Sequence, residues 1–139
     1  MKAEVFNYDR LIKSEDLNHH KTLFAGRCAE WFVEAGFIAA ASVLPAANIV
    51  CLKIHGLMFT APLKAGEIAC FESRIVKVGR TSLTTYISLS NQKKADPVIS
   101  GFITFVHVDS NGQSQPHGLE LELETEEEYR LHQQALGLS

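Results

Sequence analysis

Apolar positions follow two different rhythms along this chain. From Thr22 to Leu44 they run almost unbroken, interrupted only by Arg27, Glu30 and Glu34. That spacing predicts one long helix. The Thr22 hydroxyl suits a cap for the first amides, and Pro45 stops the helix. At about 100° per residue, Arg27, Glu30, Glu34 and Ile38 form one stripe, expected to face solvent with an Arg27–Glu30 pair at i, i+3. The opposite side carries Ala25, Cys28, Ala29, Phe32, Ala35, Gly36 and Ala39. Residues this small let a helix lie close to a curved sheet.

Elsewhere the rhythm shortens. Val5–Ile12, Ala47–Phe59, Ile68–Val78, Thr81–Ser90 and Val98–Val108 are rich in β-branched and apolar residues. In Thr81–Ser90 the alternation puts Leu83, Thr85, Ile87 and Leu89 on one face. Ala61–Glu67, Gly79–Arg80 and Asn91–Pro97 read as turns, and Asp109–Gly112 ends the last strand. Five strands and one long helix give an α+β fold, with the strands expected in an antiparallel meander. The tail beyond about residue 119 is acidic and then helical up to Leu136, and its acidic part reads as solvated surface.

Composition narrows the function classes. A chain of 139 residues with 46% hydrophobic and 21% charged residues suits a single domain spanning 1–139. A net charge of −3 argues against a nucleic-acid partner, since phosphate binding needs a basic surface. Cys28, Cys51 and Cys70 are odd in number with no close pair, as expected for buried thiols in a reducing compartment. The opening "MKAEVFNYDR" has no apolar signal core, and no uncharged apolar run is long enough to span a bilayer. A cytoplasmic protein without a membrane segment is expected.

The chemistry concentrates before and within the helix. A helix N-terminus offers unpaired N–H groups and partial positive charge. Gly26 lets a ligand approach the backbone there, so "TLFAG" suits polarisation of a carbonyl. It also reads as an ordinary helix start with a packed glycine. Asn18, His19 and His20 stand just upstream, where they serve either water positioning and proton transfer or loop hydrogen bonding. No third ligand accompanies the two histidines, so no metal site is expected. Glu34 is the one acid in the apolar half of the helix. It is either part of the wet stripe or a general base.

The stretch "NHHKTLFAGRCAEWFVEAG", from Asn18, resembles the motif of the hotdog-fold acyl-CoA thioesterases, in the cytosolic acyl-CoA hydrolase branch. Asn18 falls on the family's functional asparagine, His20 on a variable His or Asn, Phe24 on its phenylalanine and Gly26 on its last glycine. Lys21 and Ala25 replace two further glycines. Downstream, Phe59, Pro62, Gly66 and Gly79-Arg80-Thr81-Ser82 are similar to a second family segment near the coenzyme A groove. The resemblance implies a long helix wrapped by a five-stranded antiparallel sheet. It implies thioester hydrolysis to a free acid and CoA, with CoA as part of the substrate and no separate cofactor. The implied roles are Ala25 and Gly26 amides polarising the carbonyl, Asn18 placing water or carbonyl, and His20 and Phe24 contacting substrate. Arg80 would meet the CoA phosphates, with Thr81 and Ser82 on pantetheine or only forming a hairpin turn. A homodimer, tetramer or hexamer with active sites between subunits is implied. One departure stands out: the family's helix acid falls on Val33. Glu34, rotated by about 100°, would have to replace it. A non-catalytic acyl-CoA sensor is the alternative this opens. A hotdog dehydratase fits less, because "DLNHHK" lacks the proline and final histidine of that branch.

Overall fold

The computed structural model describes residues 1–92 and 96–138. Its main elements are β1 (Phe6–Leu11), α1 (Ala25–Ala41), β2 (Ile49–His55), β3 (Ile68–Val78), β4 (Ser82–Asn91), β5 (Ile99–His107) and α2 (Glu126–Leu136). Single 3-10 turns at Ser14–Asp16 and Ala46–Asn48 precede α1 and β2.

The five strands form one antiparallel sheet in the order β1-β3-β4-β5-β2. Only β3, β4 and β5 follow one another as a meander. The expected simple meander fails at β2, which pairs with β5 at the far edge, Ile49 opposite His107. Residues 56–67 then carry the chain back across to β3 beside β1. A connection this long is not a tight hairpin, so it leaves β2 free to take the other edge. The centre of the expected Asn91–Pro97 turn, residues 93–95, lies outside the described residues.

Helix α1 lies against the sheet. Phe32, Ala35 and Ala39 are fully buried, with Phe71, Leu83, Ile87 and Phe105 beneath them. The Phe32 ring meets Phe71 edge-on at 5.3 Å between centroids. Contact is close at Gly36, where a Cβ would stand 2.9 Å from Thr85 Oγ1. The small-residue side is therefore the buried side, except that Ala25 is exposed and Ala29 half-buried. Helix and sheet together make the hotdog arrangement that the resemblance implied.

The helix begins later than its composition suggests. Phe24 is the N-cap and no side chain caps the helix. Thr22 is held outside, its hydroxyl engaged with Asn18. Leu23 N–H donates to Leu63 O at 2.7 Å and Phe24 N–H to Asp16 O at 2.9 Å, which keeps both residues extended. The expected Arg27–Glu30 pair does not form, because Arg27 Nε instead faces the buried Asp16 carboxylate at 3.4 Å. At the other end Ser42 follows Ala41 as C-cap, before Pro45.

Cys28 is buried, and burial pushes its thiol up to about 12. Cys51 departs from expectation: it is exposed, because β2 is an edge strand. Helix α2 covers part of the outer sheet face with Leu131 and Ala135, which pack on Val76. Its start is a capping box between Thr125 and Glu128. Among the described residues, no helix is long and apolar enough to cross a membrane.

Candidate active site

The α1 N-terminus is built by the loop ahead of it. Asn18 Oδ1 accepts from the His20 amide at 2.8 Å and the Thr22 amide at 3.2 Å. Its Nδ2 donates to Thr22 Oγ1 at 3.1 Å. Asn18 thus shapes the loop and keeps one N–H of its carboxamide for another acceptor. Lys21 takes φ 62°, the left-handed region, at a position where the family motif has glycine. Asp16, which the sequence reading did not single out, is 4% exposed. One oxygen accepts from the Lys13 amide at 2.9 Å and the other faces Arg27, so a buried carboxylate ties the loop to the helix. Its signal was visible as an acid three residues after a turn-forming lysine, which is weak on its own.

At the helix start, the amides of Ala25, Gly26 and Arg27 meet no protein acceptor among the described residues; the first amide bonded back is Cys28, to Phe24 O. Three aligned N–H groups at a positive helix end suit an oxygen bearing developing negative charge. Gly26 is exposed, and the Phe24 ring lies beside it, its Cε2 2.6 Å from where a Cβ would stand. His19 and His20 are exposed with their rings 4.0 Å apart. Among the described residues no cluster of His, Cys, Asp and Glu has the arrangement of a metal site.

Glu34 has neighbours that the sequence reading did not foresee. Its carboxylate accepts from the Tyr8 hydroxyl and faces Arg10 Nη1 at 3.8 Å. Arg10 in turn donates to Tyr8 at 2.8 Å and lies 4.9 Å over the Trp31 ring. Burial, followed by the bond to Glu34, pushes the Tyr8 hydroxyl up, so Tyr8 remains the donor. Glu34 is therefore a half-exposed carboxylate leaning toward β1, not a partly buried one among apolar residues. Val33 lies on the other flank with Phe37, whose ring stands 6.0 Å from Phe105 on β5.

The Gly79–Ser82 turn lies at the opposite end of the molecule. Ser42 and Val43, just past α1, share a cleft with Phe6 and Ile75, and β3 runs from Ile75 on to Val78 and the turn. The 17 residues of α1 separate this turn from Asn18 by about 25 Å. The turn is closed by Gly79 N–H to Ser82 O at 2.9 Å. His117, another residue without an obvious sequence signal, braces it. Its Nδ1 accepts from the Leu119 amide at 3.0 Å, so its Nε2 carries the proton donated to Ser82 O at 2.9 Å. Arg80 is exposed and its guanidinium has no partner among the described residues. One chain therefore does not bring Arg80, Thr81 and Ser82 to Asn18, Phe24 and Gly26.

The five-stranded sheet and the long helix laid against it define a hotdog domain. The chain belongs to the thioesterase superfamily, whose family model matches residues 20–98. It is similar to the uncharacterized acyl-CoA thioester hydrolase YkhA of Bacillus subtilis, 28% identical over 125 residues, which are 87% of this chain and 72% of that protein. An apo-hexameric acyl-CoA thioesterase matches with a TM-score of 0.83 and 26% identity, covering 95% of this chain and 86% of that one. An acyl-CoA hydrolase from Staphylococcus aureus, solved with butyryl coenzyme A, shares the fold at a TM-score of 0.83 and 23% identity, over 95% of this chain and 79% of that one.

Proposed function

We propose that the protein hydrolyses an acyl-CoA thioester to the free acid and CoA. The observation that carries this reading is the set of unpaired amides at Ala25, Gly26 and Arg27, at a helix start where Ala25 and Gly26 are exposed. Placed against the thioester oxygen, they stabilise the oxyanion as water adds. The carbon–sulfur bond then breaks and CoA leaves as a thiol. Asn18 uses its remaining N–H to hold the water or the carbonyl. His20 and Phe24 border the acyl and pantetheine path. CoA enters as part of the substrate. The three free cysteines accord with a cytoplasmic setting.

The same reading makes the active enzyme a homo-oligomer. β2 is an edge strand with Val50, Leu52 and Ile54 exposed at 47%, 66% and 39%. Such an edge invites pairing with another copy. A two-fold axis beside β2 sets two α1 helices antiparallel, which carries the Arg80 turn of one copy toward the α1 N-terminus of the other. The two half-sites, about 25 Å apart in one chain, then complete each other. Arg80 meets the CoA phosphates as a charged fork, and Thr81 and Ser82 border the pantetheine.

Thiol release from a panel of acyl-CoAs tests the reading. Asn18→Ala and Arg80→Ala are each expected to lose turnover, and mixing the two variants to restore it, because mixed dimers hold one intact site. Leu52→Lys is expected to dissociate the protein in light scattering and to abolish turnover. Saturable CoA binding without release from any substrate would instead favour a non-catalytic sensor, a reading supported by Val33 where the family motif has an acid.

A further inference from the structure

The proposed hydrolysis needs a base, and α1 offers two exposed acids in unlike surroundings. Glu34 is held by Tyr8 and Arg10 on the flank toward β1. Glu30 is exposed and has no hydrogen bond or ion pair among the described residues. Arg27, the neighbour that would neutralise it along the helix, is turned to Asp16.

Helical phase separates the two acids further. At about 100° per residue, Gly26, Val33 and Phe37 fall within about 40° of one another. Phe37 fixes where that flank faces, because its ring packs on Phe105 of β5, the neighbour of β2. Glu30 lies about 20–60° from these three residues and Glu34 about 60–100°, the two acids themselves standing about 40° apart. Axial position points the same way. Glu30 is one turn beyond Gly26, and a helical side chain leans toward the N-terminus over the turn before it. That turn is the one with the open glycine and the unpaired amides. Gly26 has no side chain of its own, and the Phe24 ring fills that space as an apolar wall, its Cε2 2.6 Å from where a Cβ would stand.

We propose that Glu30, not Glu34, is the general base, taking over from the preceding turn the work of the acid that Val33 lacks; this rests on the hydrolase reading above. The Glu30 carboxylate takes a proton from water as the water oxygen bonds to the thioester carbon. The carbon–sulfur bond then breaks, and Glu30 returns that proton to the departing CoA sulfur. The products are the carboxylic acid and CoA thiol, with no other reactant consumed.

Steady-state thiol release by the full-length protein, with CoA binding by calorimetry and melting curves alongside, tests the assignment. Glu30→Gln is expected to lower kcat by about 10²- to 10⁴-fold, the range for removing a positioned base. KM, CoA affinity and Tm should stay near wild type. Adding Val33→Asp to Glu30→Gln should recover part of the lost kcat, because it puts a carboxylate back on the same flank. Wild-type kcat in Glu30→Gln, or a loss confined to Glu34→Gln, overturns the assignment while leaving the hydrolase intact. A wild-type protein that releases no thiol from any acyl-CoA overturns the hydrolase reading, and the Glu30 assignment falls with it.

Discussion

Gly36→Ala is a sharp test of how the helix is seated. Alanine is the better helix former, by about 1 kcal/mol in an unhindered helix. Here the added methyl carbon would meet Thr85 Oγ1 at 2.9 Å, Ile87 Cδ1 at 3.2 Å and Phe105 Cε2 at 3.4 Å. Overpacking of this kind costs about 1–3 kcal/mol. The upper part of that range applies, because Thr85 is fully buried, β-branched and hydrogen-bonded to Ile103 O at 3.3 Å. The net expectation is a loss of about 1–2 kcal/mol, worth roughly 3–5 °C of Tm for each kcal/mol in a chain of this size. Melting should be followed at fixed protein concentration, since association adds to apparent stability. Adding Thr85→Ala removes the closest atom, so a double-mutant cycle should show a favourable coupling of at least about 0.5 kcal/mol. A Gly36→Ala protein as stable as wild type, with no coupling to position 85, would refute the close helix–sheet contact.

Lys21→Gly relieves a left-handed residue costing about 1–2 kcal/mol against about 0.5–1 kcal/mol of added chain entropy, so Tm should rise by the equivalent of up to about 1.5 kcal/mol; a lower Tm contradicts this. Asp16→Asn keeps an acceptor for the Lys13 amide but removes the charge facing Arg27, and urea unfolding should show a loss of roughly 1–3 kcal/mol, reduced from the fully buried case by the exposure of Arg27. Glu128 accepts from the Thr125 amide, and this bond, followed by the Thr125 hydroxyl, holds its carboxyl below the usual value. A depressed acid stabilises the fold above its unfolded pKa and stops doing so as pH falls through the folded value. Glu128→Ala should therefore cost up to about 1 kcal/mol near neutral pH, and Tm curves of the two proteins should converge in acid; a gap that persists there would place the effect elsewhere.

Most of the fold is legible in the chain because each element obeys a single period. Ile68–Val78 was bounded by its own composition to the residue, and the buried positions Leu83, Thr85, Ile87 and Leu89 follow from alternation alone. The start of α1 is not legible, because Thr22 has the chemistry of a cap and the competing acceptor, Asn18, is four residues upstream in a loop. The place of β2 was not legible either. A strand's own pattern records which faces are buried, not which neighbour it pairs with. Even its exposure pattern, apolar at Val50, Leu52 and Ile54 yet open on both faces, becomes intelligible only as the edge of a sheet.

The site was harder for a related reason: its parts are defined by phase and by ends. Asn18, Phe24 and Gly26 lie close together in sequence and were found together. Arg80, Thr81 and Ser82 belong to the same motif set, but β3 carries them to the far end of α1, and it is the proposed antiparallel dimer that would return them. The acids on α1 differ by one turn of helix, a distinction that composition cannot weigh. Glu34 looked the stronger candidate because it stands among apolar residues in the sequence. In the fold that apolar company includes Trp31, over which Arg10 lies, and Arg10 and Tyr8 hold the carboxylate toward β1. Glu30 looked ordinary because Arg27 stood ready to pair with it. The buried Asp16 takes that arginine, which leaves Glu30 the unpaired acid nearest the open amides. A buried carboxylate in the preceding loop thus leaves one helix acid without its expected cation, and the proposed assignment of Glu30 rests on that.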